Sequence, residues 1–223
     1  EHLQDVTFTD ASNGTAVGWS GTIVRTTDGG VTWAPQNSGT IFWLLSVHFF
    51  DVNTGVAAGS GGTILHTTDG GATWAEVGFS PDWPDSGTPT VGWSSDGQFA
   101  YTVLTGGCGE GCHIVFYRSD DDGLTWTSLE TESPGVPGRE IAVGTSGSYR
   151  LHVDQYETSR HKDNLYVTYS GLNGVMQLSR SRNFGDRWST HSFSQAPPGA
   201  GGDVTTDRVG DVYYAWRGDA PPE

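Results

Sequence analysis

The stretch "RTTDGGVTW" at residues 25–33 returns 41 residues later, almost unchanged, as "HTTDGGATW" at 66–74. Each copy follows an alternating run, "GTIVRT" at 21–26 and "GTILHT" at 62–67, of the kind that forms a half-buried strand. Asp followed by Gly then marks a tight turn, because the Asp carboxylate takes backbone N–H groups and Gly accepts a positive φ. The Thr hydroxyl is placed to bond across that turn. The closing Trp leads the return strand and offers a large apolar face to a neighbouring unit. The phrase therefore reads as a self-contained hairpin with its own packing anchor, and its repetition as a structural device rather than a catalytic one.

Two looser copies lie downstream, "SDDDGLTW" at 119–126 and "SRNFGDRW" at 181–188. The shared pattern is Ser/Thr-x-Asp-x-Gly-x-Thr-Trp, carried by Asp28 and Trp33, Asp69 and Trp74, Asp121 and Trp126, and, with Asn and Arg replacing Asp and Thr, Asn183 and Trp188. The step between copies grows from 41 to 52 to 62 residues, as it does when loops lengthen between constant units. The four phrases resemble the Asp-box, or BNR, repeats of sialidase-like β-propellers. The first two units are similar to photosystem II assembly-factor repeats. The resemblance implies an all-β propeller of four-stranded antiparallel blades, with each box joining the third and fourth strands at the outer edge. On that reading residues 1–223 form one propeller region, with units at 5–37, 44–77, 88–128 and 139–193 and a partial unit at 203–216. About four and a half units do not close a ring. The expectation is that further blades lie outside these residues or that another chain supplies the missing strands.

Composition agrees with that fold class. The chain holds 33 Gly and nine Trp, and no segment sustains the three-and-four apolar spacing of a helix. No apolar run reaches the ~18 residues that span a membrane as a helix. The formal net charge is −15, with Lys162 the only lysine, which argues against a nucleic-acid partner. Cys108 and Cys112, in "GGCGEGCHI", admit three readings: a small disulfide loop, a metal pair with His113, or a reduced thiol pair. No second Cys/His cluster completes a metal set, so the disulfide is favoured, and with it a secreted, extracellular or periplasmic location. "SDDDG" at 119–123 lacks the alternation of a calcium loop, and neither a metal nor a cofactor is expected.

Function is less legible. Sialidase-like enzymes imply an arginine triad, a Tyr/Glu nucleophile and an Asp acid/base. The nearest matches are Tyr156 with Glu157, and Arg139, Arg150 and Arg217 near strand ends, in spacings that reproduce no triad. Other glycosidases need two carboxylates flanking the bond. Glu140, Asp154 and Glu157 are the leading candidates, and Asp82, Asp85 and Asp203 lie outside the boxes as well. Glu140 and Asp154 fall where a fourth blade would begin. Trp83, between two prolines, offers a ligand-binding aromatic with Arg139 and Arg150, and Phe42, Trp43 and Phe79 lie between units. The incomplete catalytic set favours a binding or assembly module for a glycan or a protein. The alternatives are a glycoside hydrolase with missing blades and a subunit that self-associates through open blade edges.

Overall fold

The computed structural model describes residues 2–77, 89–106, 111–127, 139–144, 149–172, 174–193 and 202–216. It consists of antiparallel sheets and two single 3-10 turns, Trp19–Gly21 and Ser60–Gly62. The first sheet runs β1 (Leu3–Phe8), β2 (Gly14–Gly18), β3 (Ile23–Thr26), β4 (Ala34–Gln36). The second runs β5 (Leu44–Phe49), β6 (Gly55–Gly59), β7 (Ile64–Thr67), β8 (Ala75–Glu76). The third holds β9 (Thr90–Trp93), β10 (Ala100–Gly106), β11 (Cys112–Ser119) and β12 (Arg139–Gly144). The fourth holds β13 (Arg150–Val153), β14 (Leu165–Ser170), β15 (Met176–Ser181) and β16 (Trp188–Ser192). A two-stranded sheet, β17 (Gly202–Thr206) with β18 (Val212–Trp216), follows.

The sheets are blades around a common axis. The first strand of each touches the first strand of the next, from β1 to β5, β9, β13 and β17. Bulges in β1 and β5 turn one polar side chain of each towards the neighbouring blade. Asp5 Oδ2 accepts from the Val47 amide at 2.9 Å, and Ser46 Oγ accepts from the Val91 amide at 3.2 Å. Apolar layers fill the gaps between blades. Val17 and Ile23 meet Val47 and Phe49, Ala58 and Ile64 meet Val91 and Trp93, and Val103 and Phe116 meet Val153 and Val167.

Each box folds as its sequence demands. In the first, Thr26 Oγ1 donates to Asp28 and accepts from the Gly30 amide, while Asp28 takes the Thr32 amide and hydroxyl at 2.9 and 2.6 Å. The second repeats this set through Thr67, Asp69, Gly71 and Thr73. Two successive residues after the Asp or Asn are left-handed in all four copies. They are Gly29 and Gly30, Gly70 and Gly71, Asp122 and Gly123, Phe184 and Gly185. Glycine accepts that backbone freely, whereas Asp122 and Phe184 adopt it against their Cβ. Phe184 recovers contact with Phe99 of the third blade, the two rings 5.2 Å apart and tilted by 45°.

One strand lies elsewhere than the repeat spacing suggests. Residues 139–144, expected to open the fourth blade, pair with β11 and form the outer strand of the third. Thr127 begins that outer strand by bridging Arg118, and pairing resumes from Arg139 opposite Phe116 to Gly144 opposite Cys112. The described parts of that outer strand, Thr127 and Arg139–Gly144, are thus far apart in the sequence, which imitates a blade boundary, and the fourth sheet opens at Arg150.

Candidate functional site

The five innermost strands enclose an axial cavity of about 290 Å³. Asp5, His48, Thr90, Arg150 and Asp203 line it, one from each of the five sheets. Burial, reinforced by the nearby charge of His152, lowers the His48 pKa to about 4, so the ring is neutral at physiological pH. Its Nε2 lies 3.4 Å from the Gln155 amide nitrogen, which also donates to the Trp93 carbonyl at 2.9 Å. Gln155 belongs to the β13–β14 connection, which therefore reaches from the fourth blade to the second and third. His152 is likewise lowered by burial, against the opposing pull of Asp154 and Asp203, and its Nε2 meets Thr206 Oγ1 at 2.9 Å. The cavity combines one guanidinium, two carboxylates and neutral imidazole.

A second feature stands where the innermost strands begin. Trp19 and Trp43, from adjacent blades, stack at 4.7 Å with their planes within 7°, and the His2 ring lies 4.4 Å from Trp19, tilted by 40°. Ile41 and Phe42 continue the surface, and Trp43 is 48% exposed. This ledge is held by backbone bonds. The Trp19 amide donates to His2 O, Ser60 N to Trp43 O, Gly21 N to Phe42 O, and Ser60 Oγ accepts from Trp43 N. Large aromatic faces fixed before a ligand arrives bind it at little entropic cost.

The candidate residues from sequence separate between these places. Arg150 lines the axial cavity, as does Asp203. Asp154 is fully buried at the start of the β13–β14 connection, where it accepts from the Ser159 hydroxyl at 2.6 Å and the Tyr156 amide at 3.3 Å. Tyr156 is exposed in that connection, and Glu157 is exposed and paired with Lys162 at 3.0 Å. Glu140 sits on the outer strand of the third blade, 3.2 Å from His113, rather than on an axial strand. Arg139 opens β12, on the same outer strand. The structure thus brings Arg150 and Asp203 together and leaves Glu140 away from Asp154 and Glu157. Cys112 is buried and disulfide-bonded. Cys108, Trp83, Phe79, Asp82, Asp85 and Arg217 lie outside the described residues. Among the described residues no group of three or more His, Cys, Asp or Glu is placed to hold a metal, and no helix is long and apolar enough to cross a membrane.

Sequence reasoning missed Trp19. The available signal was a difference between near-copies: "GWSGT" at 18–22 aligns with "GSGGT" at 59–63, so an indole replaces a serine at one position of an otherwise shared turn.

A family model described as Photosynthesis system II assembly factor YCF48 matches residues 1–196. Among solved structures, the chain is similar to YCF48 from Cyanidioschyzon merolae, at 22% identity over 91% of this chain and 58% of that one, with a TM-score of 0.54. It is also similar to a Niastella koreensis GH74 enzyme, at 18% identity over 88% of this chain and 30% of that one, with a TM-score of 0.56. A structure described as YCF48 bound to D1 peptide aligns at 22% identity over 96% of this chain and 74% of that one, with a TM-score of 0.47. The chain spans a little over half of the C. merolae protein and under a third of the enzyme. A comparison with curated proteins returns no match.

Proposed function

The chain belongs to the photosynthesis system II assembly factor YCF48 family, and from that premise we propose that it is a protein-binding propeller. Its ligand is an extended segment of a partner protein laid across the Trp19–Trp43 ledge. The observation that carries this reading is the ledge itself: two parallel, stacked indoles from different blades, next to exposed Ile41 and Phe42, held by backbone hydrogen bonds. Such a stack grips apolar and cationic side chains along its exposed indole surface, the latter by cation–π attraction. A formal charge of −15 favours a partner segment rich in Lys or Arg. The disulfide at Cys112 supports an oxidising compartment for the encounter.

Selection of a displayed random-peptide library on the protein tests this. The expected result is enrichment of peptides that combine basic with aromatic or aliphatic residues, with affinity reduced about tenfold or more by Trp43→Ala, the scale of an aromatic anchor. Failure to enrich any peptide, or binding confined to oligosaccharides on a glycan array, would overturn it.

A further inference from the structure

The residue directly before the box stands at the junction between one blade and the next. It is Arg25 in β3, His66 in β7 and Arg118 in β11. Arg25 donates from Nη1 to the Gly70 carbonyl at 2.6 Å, in the box of the second blade. Arg118 donates from Nη1 to the Phe184 carbonyl at 3.1 Å, in the box of the fourth. Gly70, Asp122 and Phe184 occupy one place, the first left-handed residue of their boxes. His66 reaches the backbone at that place as well, against Asp122 of the third box, with its Cδ2 beside Gly123. Two junctions are therefore held by side chains that stay charged at every working pH, and the one between them by a side chain that titrates.

His66 is also placed where a charge is poorly received. The ring is 5% exposed, and its Nε2 is buried without a partner among the described residues. Arg118 has Asp186 beside it at 3.1 Å, whereas the third box carries Leu124 at the position of Asp186. Within its own sheet His66 lies between Val56 of β6 and Ala75 of β8, and Glu76 stands opposite Leu65, on the other face. The charges that act on the ring are those of Asp122, an exposed residue, and Asp121, whose carboxylate is already bonded to Ser119 and Thr125. Burial pushes the His66 pKa below its ordinary value, against the opposing pull of the Asp122 charge and backbone and of the Asp121 charge. A ring that holds a proton less well when enclosed favours the open junction as pH falls below about 6.5.

We infer that the seam between the second and third blades is an acid-labile joint, loosened by protonation of His66, while the seams held by Arg25 and Arg118 stay closed. The Trp19–Trp43 ledge spans the first and second blades, so binding there and loosening at His66 are separate properties and fail independently.

Hydrogen exchange resolved by residue reads two of these seams. The Val91 amide is bonded to Ser46 across the second seam, and the Val47 amide to Asp5 across the first. Between pH about 7.5 and about 5.5, after correction for intrinsic exchange, protection at Val91 should fall about threefold or more, within the tenfold per pH unit that one proton supplies. Protection at Val47 should hold. His66→Gln, neutral throughout, and His66→Arg, charged throughout as Arg25 is, should both remove the fall, so a folding defect in one leaves the other to decide. His48 and His152 remain in both variants, which separates their titration from that of His66. Equal falls at Val91 and Val47, an unchanged or rising Val91, or a fall that survives in the folded variants would overturn the inference.

Discussion

Blades one and two are written in nearly the same words, yet they hold different energies. Val6 and Phe8 of the first blade are 52% and 47% exposed, whereas their counterparts Val47 and Phe49 are 3% and 5% exposed. The local geometry hardly differs. Phe8 meets Trp33 edge-on at 6.1 Å and 84°, and Phe49 meets Trp74 at 5.8 Å and 89°. What changes is the neighbour: Val17 and Ile23 of blade one cover Val47 and Phe49, and no described residue does the same for Val6 and Phe8. The repeat unit builds a hairpin with an aromatic anchor, and an adjoining blade converts that anchor into buried area.

The largest expected effect tests that difference directly. Phe49→Ala should cost about 3–5 kcal/mol, from lost transfer free energy and the cavity left behind. In the chain of residues 1–223, Phe8→Ala should cost about 1 kcal/mol or less, as at a partly solvated site. Denaturant unfolding of the two variants measures both, and equal losses would break the comparison. A smaller effect concerns the bonds from Arg25 of blade one to the backbone of blade two. Arg25→Ala leaves the Gly70 and Val52 carbonyls without their charged donor and should cost about 1.5–3 kcal/mol, read from the same denaturant curves.

The smallest effect should be alike in both blades, because the box is folded by its own residues. Side-chain and backbone bonds from Thr32, then the Thr26 hydroxyl, hold Asp28 at a pKa of about 2; Thr73 and Thr67 do the same for Asp69. A carboxylate depressed in the folded state adds stability above its ordinary pKa of about 4, and loses it as pH falls towards 2. Asp28→Asn and Asp69→Asn should each flatten the decline of stability between pH about 4 and about 2, and by similar amounts. A marked difference between them, read from urea midpoints across that range, would show that the neighbouring blade reaches into the box itself.

Much of the fold was legible because its signals are local. Asp28, Asp69 and Asp121 fix turns through atoms two to four residues away, and alternation in "GTIVRT" and "GTILHT" names strands that need no distant partner to be recognised. The outer strand of the third blade was misplaced because its pairing, from Cys112 opposite Gly144 to Phe116 opposite Arg139, joins residues more than twenty apart, which no local pattern records. The site was less legible still. Arg150 and Asp203 drew attention as a cation and an acid near strand ends, but their meeting at the axis depends on how five sheets are arranged. Glu140, Asp154 and Glu157 look like a carboxylate set in one dimension and scatter in three.

The sequence by itself determined the unit: a four-stranded sheet closed by a box whose bonds are internal, repeated along an acidic, glycine-rich chain. Tertiary structure alone decided how deeply each described copy of that unit is covered, which side chains face the axis, and which carbonyls of one blade receive the side chains of another. The physical reason is range. Turn chemistry acts over a few residues and is written in each of them, whereas burial and inter-blade bonding belong to pairs of surfaces that only the assembled ring brings into contact.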